Sequence, residues 1–231
     1  MLQITKYTTG TIQTNVYIVW ETDSMEAVII DPGANGKKII DILKNRLKVI
    51  PKAILLTHGH FDHIMAVKEI TEEYDIPVYA GAEEKEVLGD GKKNLSESFE
   101  RFSYTIGEGC FSPLKDGEAV MLLNRSFQVL HTPGHTEGSV CYYLSDGLHY
   151  KAEGEAEEKN YPVLFSGDTL FCESYGRTDF PTGSERELIR SINEKLLVLP
   201  EETAVFPGHE GQTSIGNEKR YNPAVVIGKM Q

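Results

Sequence analysis

The chain has little cysteine, a single tryptophan, no excess of basic residues and no long apolar run. Its three cysteines, Cys110, Cys141 and Cys172, are odd in number and far apart. That excludes a disulfide framework and suits a reducing compartment. Cys172 reads as a buried structural thiol. Lys and Arg number 23 against 35 Asp and Glu, a formal net charge of -12. This balance excludes a nucleic-acid partner, because a phosphate backbone demands clustered cations. No stretch approaches the roughly 18 apolar residues of a membrane span, and residues 1–7 hold no signal core. A cytoplasmic protein with no membrane partner is expected. No Gly-x-Gly-x-x-Gly opens a helix and no serine nucleophile elbow is present, so nicotinamide, flavin and serine-hydrolase chemistry are also excluded. The 231 residues are enough for one large domain spanning 1–231.

Histidine, by contrast, is concentrated. Of seven histidines, three fall in Thr57-His58-Gly59-His60-Phe61-Asp62-His63. With Asp62 they make four metal-competent side chains in six residues, between the apolar run Ala53-Ile54-Leu55-Leu56 and a helical pattern over 64–73. His58 and His60 are two apart, so an extended backbone turns both rings to one side. Asp62 and His63 sit where the chain enters the helix and can face a second ion. Three further candidates each follow a strand and a glycine. They are His135 in Thr132-Pro133-Gly134-His135, Asp168 in Phe165-Ser166-Gly167-Asp168 and His209 in Phe206-Pro207-Gly208-His209. Glycine at these positions lets the backbone come close to an ion. His131 and His149 fall outside the set.

Residues 2–7, 15–20 and 26–31 are rich in β-branched and aromatic side chains and read as a meander opening an antiparallel or mixed sheet. Helical spacing recurs over 36–47. Further strands are expected at 53–56, 77–80, 118–124, 126–131, 139–144, 163–165 and 204–206. Residues 82–109 alternate charged helical stretches with Gly and Ser breaks and read as a surface excursion. Residues 145–160 carry Asp146, Glu153, Glu155, Glu157 and Glu158 and read as a solvated extension between two strands. A helix over 184–198 has Ser184 or Gly183 as its cap and Glu187 as the capping-box acid.

The stretch at 57–63 followed by His135, Asp168 and His209 resembles the metallo-β-lactamase superfamily over essentially the whole chain. The resemblance implies an α/β chain folded as a four-layered αββα sandwich, two mixed β-sheets flanked by helices. It implies two divalent metal ions per chain. His58, His60 and His135 would hold the first, Asp62, His63 and His209 the second, and Asp168 would bridge them. Asp31, in Asp31-Pro32-Gly33, matches a position where a carboxylate orients a ligand imidazole. Zinc is the expected metal, although a mixed histidine and carboxylate set also accepts iron or manganese. The implied chemistry is metal-assisted hydrolysis by a metal-bridging hydroxide, with Asp62 and Asp168 as its catalytic carboxylates.

Within the superfamily, His63 and Asp168 depart from the usual β-lactamase pattern. Residues 165–171, 176–181 and 213–223 resemble the compact single-domain branch of the hydroxyacylglutathione hydrolases (glyoxalase II). A small-molecule thioester substrate follows from that likeness. A thiolate leaves without the acid that an amine requires, which also favours thioester over amide cleavage. Arg177 lies near where the family places a basic contact to the substrate carboxylate, and equally reads as a surface residue paired with Asp179. Tyr175 reads as lining the same mouth. Larger members carry a helical C-terminal segment with basic residues for glutathione. Here Lys229 is the one cation after Asn222-Pro223, so the thiol carrier stays open. A second reading is a persulfide dioxygenase holding one Fe(II) at positions matching His58, His135 and Asp168. A third is a non-catalytic metal-binding module. The oligomeric state stays open as well.

Overall fold

Strands that read as unbroken apolar runs are buried on both faces, and their alternation sets up the layers. The computed structural model describes residues 1–150 and 159–228. One sheet is built from β1 (Leu2–Thr9), β2 (Thr14–Glu21), β3 (Glu26–Ile30), β4 (Ile50–Leu55), β5 (Val78–Gly81) and β6 (Ser112–Leu114), in that order. Its first three strands are antiparallel and the rest join in parallel, so the sheet is mixed. The second sheet contains β7 (Ala119–Leu122), β8 (Arg125–His131), β9 (Val140–Tyr150) and β10 (Lys159–Gly167). After a small hairpin of β11 (Leu170–Phe171) and β12 (Ser174–Tyr175), β13 (Ala204–Pro207) and β14 (Thr213–Ser214) complete it. Strand β13 joins β10 in parallel.

Tyr17, Val19, Val28, Ile30 and Leu55 face the second sheet, where they meet Phe127, Tyr142, Val163, Phe165 and Phe206. Their neighbours Val16, Ile18, Ile29 and Ile54 face outward under a helical layer. That layer includes α1 (Gly36–Asp41), continued by a π-helical turn over Ile42–Leu47, then α2 (Phe61–Ile64) and α3 (Val67–Tyr74). Two short helices, α4 (Lys85–Gly89) and α5 (Ser96–Phe99), lie in the excursion that follows β5. On the far side, Cys141, Tyr143, Leu164 and Val205 pack against α6 (Glu185–Ser191), its π-helical continuation Ile192–Leu196, α7 (Ile215–Tyr221) and α8 (Pro223–Gly228). The result is the αββα sandwich.

Three local expectations need correction. The helix expected over 64–73 begins earlier, at Phe61, and breaks at Met65-Ala66, where the Ala66 N–H donates to Pro32 O instead of continuing the helix. Asp62 and His63 therefore sit within a single turn pinned to the Asp31-Pro32-Gly33 bend. The acidic extension is shorter than expected, because β9 and β10 stay paired as far as Tyr150 and Lys159. Glu153, Glu155, Glu157, Glu158 and Lys229 lie outside the described residues. At α6, Ser184 Oγ accepts from the Glu187 N–H, but the capping box is only half formed. The Ser184 N–H donates to Gly134 O, and the Glu187 carboxylate pairs with Arg190. Among the described residues, no helix is long and apolar enough to cross a membrane.

Candidate metal centre

All seven expected ligands meet at one end of the sandwich, where strands of both sheets stop. His58 and His60 follow β4, Asp62 and His63 lie on α2, His135 follows β8, Asp168 follows β10 and His209 follows β13. Ligand atoms of His58, His60 and His135 lie within 4.8 Å of one another, and so do those of Asp62, His63 and His209. Asp168 stands between the two sets. Its Oδ1 is 3.4 Å from His63 Nε2, and its Oδ2 is 3.7 Å from His135 Nε2 and 3.4 Å from His209 Nε2. Gly208 makes this approach possible, since a Cβ there would stand 2.2 Å from Asp168 Oδ1. Gly167, at φ +49°, brings Asp168 past Thr57, whose Oγ1 would be 2.3 Å from an added Cβ.

Most imidazoles are held from behind. His135 Nδ1 donates to the Arg177 carbonyl at 2.7 Å, and His63 Nδ1 donates to Asp31 Oδ2 at 3.0 Å. Asp31 also accepts from the Thr57 N–H at 2.7 Å and the Thr57 hydroxyl at 2.6 Å. With its proton given to Asp31, the Thr57 oxygen is left to accept from His58 Nδ1 at 3.2 Å. In His58 and His135 the bond fixes a tautomer with the Nε2 lone pair free, and in His63 it turns Nε2 toward Asp62 and Asp168. Asp31 does this from φ +51°, an uncommon left-handed conformation for a non-glycine residue.

Several of the atoms aimed into the site lack a hydrogen bond. His58 Nε2, His60 Nε2, His63 Nε2 and Asp168 Oδ1 are buried without a hydrogen bond. His60 turns its Nδ1 toward His135 Nε2 at 2.9 Å, so two ring nitrogens compete for one space. An unpaired buried polar atom costs about 1–3 kcal/mol, and several converging on one point fit a cation as the missing partner. Neutral imidazoles and ionised carboxylates are the donor forms a divalent metal needs. Burial lowers His58, His135 and His60, the last to about 3, so these rings stay neutral. Burial also depresses His63, but Asp62, Asp168 and Asp31 outweigh it and hold the ring well above the usual histidine range. Likewise burial opposes and Asp168 overcomes in His209, raised to about 10. Asp62 falls to about 2 because His63 and His209 outweigh its burial. In the metal-free protein, then, His63 and His209 are the counter-ions of Asp62 and Asp168. Bound cations would take that role and release the protons.

The family model described as the metallo-beta-lactamase superfamily matches residues 9–147. The chain belongs to the metallo-β-lactamase superfamily. Its relatives include the hydroxyacylglutathione hydrolase GloC of Haemophilus influenzae, 35% identical over 91% of this chain and 92% of that protein. Among solved structures, the BLEG-1 B3 metallo-β-lactamase is 40% identical with a TM-score of 0.83, covering 96% of this chain and 98% of that one. TTHA1623 in a di-iron-bound form is 36% identical with a TM-score of 0.75, covering 95% and 98%. The superfamily is one of metallo-hydrolases, and the His and Asp clusters offer the chain a metal site.

The structure treats the two substrate candidates differently. Arg177 lines the cleft above the ligands. Its guanidinium forms a two-bond pair with Asp179 at 2.9 and 2.7 Å and lies 4.3 Å from the Phe180 ring centroid. Tyr175 is not brought to the cleft. It packs against the α6 cluster and its hydroxyl donates to Glu185 at 3.4 Å. Cys172, expected buried, is exposed, whereas Cys141 is the buried thiol, raised to about 11 by burial.

Three supporting residues escape a reading of the sequence. Thr14 donates its hydroxyl to Asp62 Oδ2 at 2.6 Å, and Thr57 links Asp31 to His58. Glu84 is fully buried. Its Oε1 accepts from the Gly59 N–H at 2.7 Å and its Oε2 from the Thr136 hydroxyl at 2.8 Å. One carboxylate thereby ties the loop of His58 and His60 to the loop of His135. Glu84 hides in the charged run Glu83 to Glu86, but it precedes buried Val87 and Leu88 by three and four residues, the spacing of a helix's inner face.

Burial raises Glu84 from 4.5 to about 7 despite these bonds. An acid whose pKa rises on folding is harmless below its unfolded pKa and weakens the fold as pH climbs to its folded one. In metal-free protein, wild type should therefore lose about 3 kcal/mol relative to Glu84→Gln between pH 4.5 and 7, then run parallel to it. Urea unfolding of both across that range is the check, and a constant difference would refute it.

Proposed function

We propose that this protein hydrolyses small-molecule thioesters at a two-metal centre. The observation that carries the reading is the Asp168 carboxylate, which faces His135 of one donor set and His63 and His209 of the other. Two divalent cations, zinc in the first instance, would when bound supply a hydroxide nucleophile at neutral pH and a Lewis acid for the scissile carbonyl. His58, His60 and His135 would hold the first and Asp62, His63 and His209 the second, with Asp168 between them. Asp62 stays ionised, steadied by the Thr14 hydroxyl, so its carboxylate can accept the proton that orients the attacking oxygen. Attack forms the new C–O bond, the C–S bond breaks, and the thiolate leaves.

Leaving-group chemistry separates this from β-lactam opening. Besides the metal ligands, the charged side chains lining the cleft are Lys6, Arg177 and Glu210. Arg177 does not give up its proton and is engaged by Asp179, and Lys6 is turned to the Glu210 carbonyl at 3.3 Å. A thiolate, whose conjugate acid has a pKa of about 8.5, does not need the proton that an amine requires. Similarity to GloC and to a di-iron structure supports the same reading. A single-iron oxygenase would leave Asp62, His63 and His209 without a task, although they converge as closely as the first set.

The test offers metal-loaded protein a panel of acyl thioesters, a chromogenic cephalosporin, and glutathione persulfide with an oxygen electrode. Thioester cleavage with the largest kcat/KM is expected. Oxygen uptake or lactam opening that exceeds it would replace the proposal.

A further inference from the structure

The side chains bordering the ligands are aromatic. Phe61 follows His60 directly, and Phe180 and Phe171 set their rings 5.8 and 6.2 Å from His60 and His209. The excursion after β5 adds a shelf to this wall. Its Asn94 carbonyl accepts from the Phe61 N–H at 2.9 Å, so the excursion is fastened to the metal loop itself. Asn94 is buried, its amide donates to Tyr104 O at 2.6 Å, and Leu95 turns the chain at φ +69°. Phe99 is thereby stacked on Phe61, centroids 5.4 Å apart and planes 16° off parallel. Phe99 is 54% exposed, and Ile12, which lines the same cleft, is 41% exposed. In a cleft of about 650 Å³ these are apolar surfaces left in water.

Several polar side chains of the cleft already have protein partners. The Asn15 amide donates to the carbonyls of Pro207 and Glu210 at 2.9 and 3.1 Å, and Lys6 and Arg177 are engaged as described. A hydroxyl on the acyl group would find the Asn15 amide committed.

Resting on the thioester reading, we propose that the preferred acyl group is apolar, an aromatic or branched chain seated against Phe99, which the buried Phe61 backs, and that Phe99 selects it. Acyl group and sulfur are both bonded to the reacting carbonyl carbon, so each lies near side chains that border the ligands. The acyl group is assigned to Phe99, and comparing two thiol carriers tests that assignment.

The experiment measures kcat/KM of metal-loaded protein for acetyl, lactoyl, butyryl and phenylacetyl thioesters of glutathione and of N-acetylcysteamine. The phenylacetyl ester should exceed the lactoyl ester about tenfold or more, in line with what an apolar pocket gains per added group. Phe99→Ala should cut that ratio about tenfold, Phe99→Leu should keep most of it, and Phe102→Ala, outside the cleft lining, should leave it at the wild-type value. A lactoyl or acetyl preference, or a ratio that Phe99→Ala does not move, overturns the apolar-acyl proposal alone. Failure to cleave any thioester overturns it together with the thioester reading.

Discussion

Asp168→Ala should lower kcat/KM for thioester cleavage by at least about 10³-fold while leaving a folded protein. The size follows from position. Asp168 is the carboxylate that approaches histidines of both donor sets, so its loss weakens both cation sites and removes the charge that balances His63 and His209. Its carboxyl is held well below the usual range because those histidines outweigh its burial. Without it, His63 keeps only Asp62 and Asp31 and the partly exposed His209 only Asp62, so both rings should lose protons more readily. Elemental analysis should find Asp168→Ala short of metal, and circular dichroism should find it folded. A fully metal-loaded variant that keeps more than about a tenth of wild-type activity would show that the two sets do not work through this residue.

Asp31→Ala should act from behind the ligands. It strands three donors at once, the Thr57 N–H, the Thr57 hydroxyl and His63 Nδ1. Each buried donor left unpaired costs about 1–3 kcal/mol, so a loss of at least about 3 kcal/mol in stability is expected. Outer contacts of this kind are also worth about 10- to 100-fold in metal affinity. Alanine is further penalised by the φ of +51°, which asparagine tolerates. Asp31→Asn thus isolates the electrostatic part: the fold should be largely kept while chelator competition reports weaker binding at the site of His63. Equal metal affinity in wild type and Asp31→Asn would refute the orienting role.

The convergence of the candidate ligands was legible because much of the centre is local. His58, His60, Asp62 and His63 fall within six residues, and His135, Asp168 and His209 repeat one context, a strand and then a glycine directly before the candidate ligand. The layers were legible because apolar runs such as Ala53-Ile54-Leu55-Leu56 suit strands covered on both faces. What escaped reading depends on contacts that residue type does not encode. The carbonyl that orients His135 belongs to Arg177, and any residue could supply it. Glu84 looks like its exposed neighbours until the loops of His60 and His135 close over it. The break after α2 answers to the Pro32 carbonyl, a partner distant in sequence that outweighs local helical spacing. Tyr175 shares its neighbourhood in the sequence with Arg177, yet the β11–β12 hairpin directs it to the α6 layer.

If two donor sets joined by Asp168 hold two cations for thioester hydrolysis, metal-stripped protein titrated with zinc should show it, with thioester cleavage and bound metal measured at each step. Activity should rise until about two equivalents are bound per chain. Full function with one bound iron, accompanied by oxygen consumption and no thioester cleavage, would contradict it.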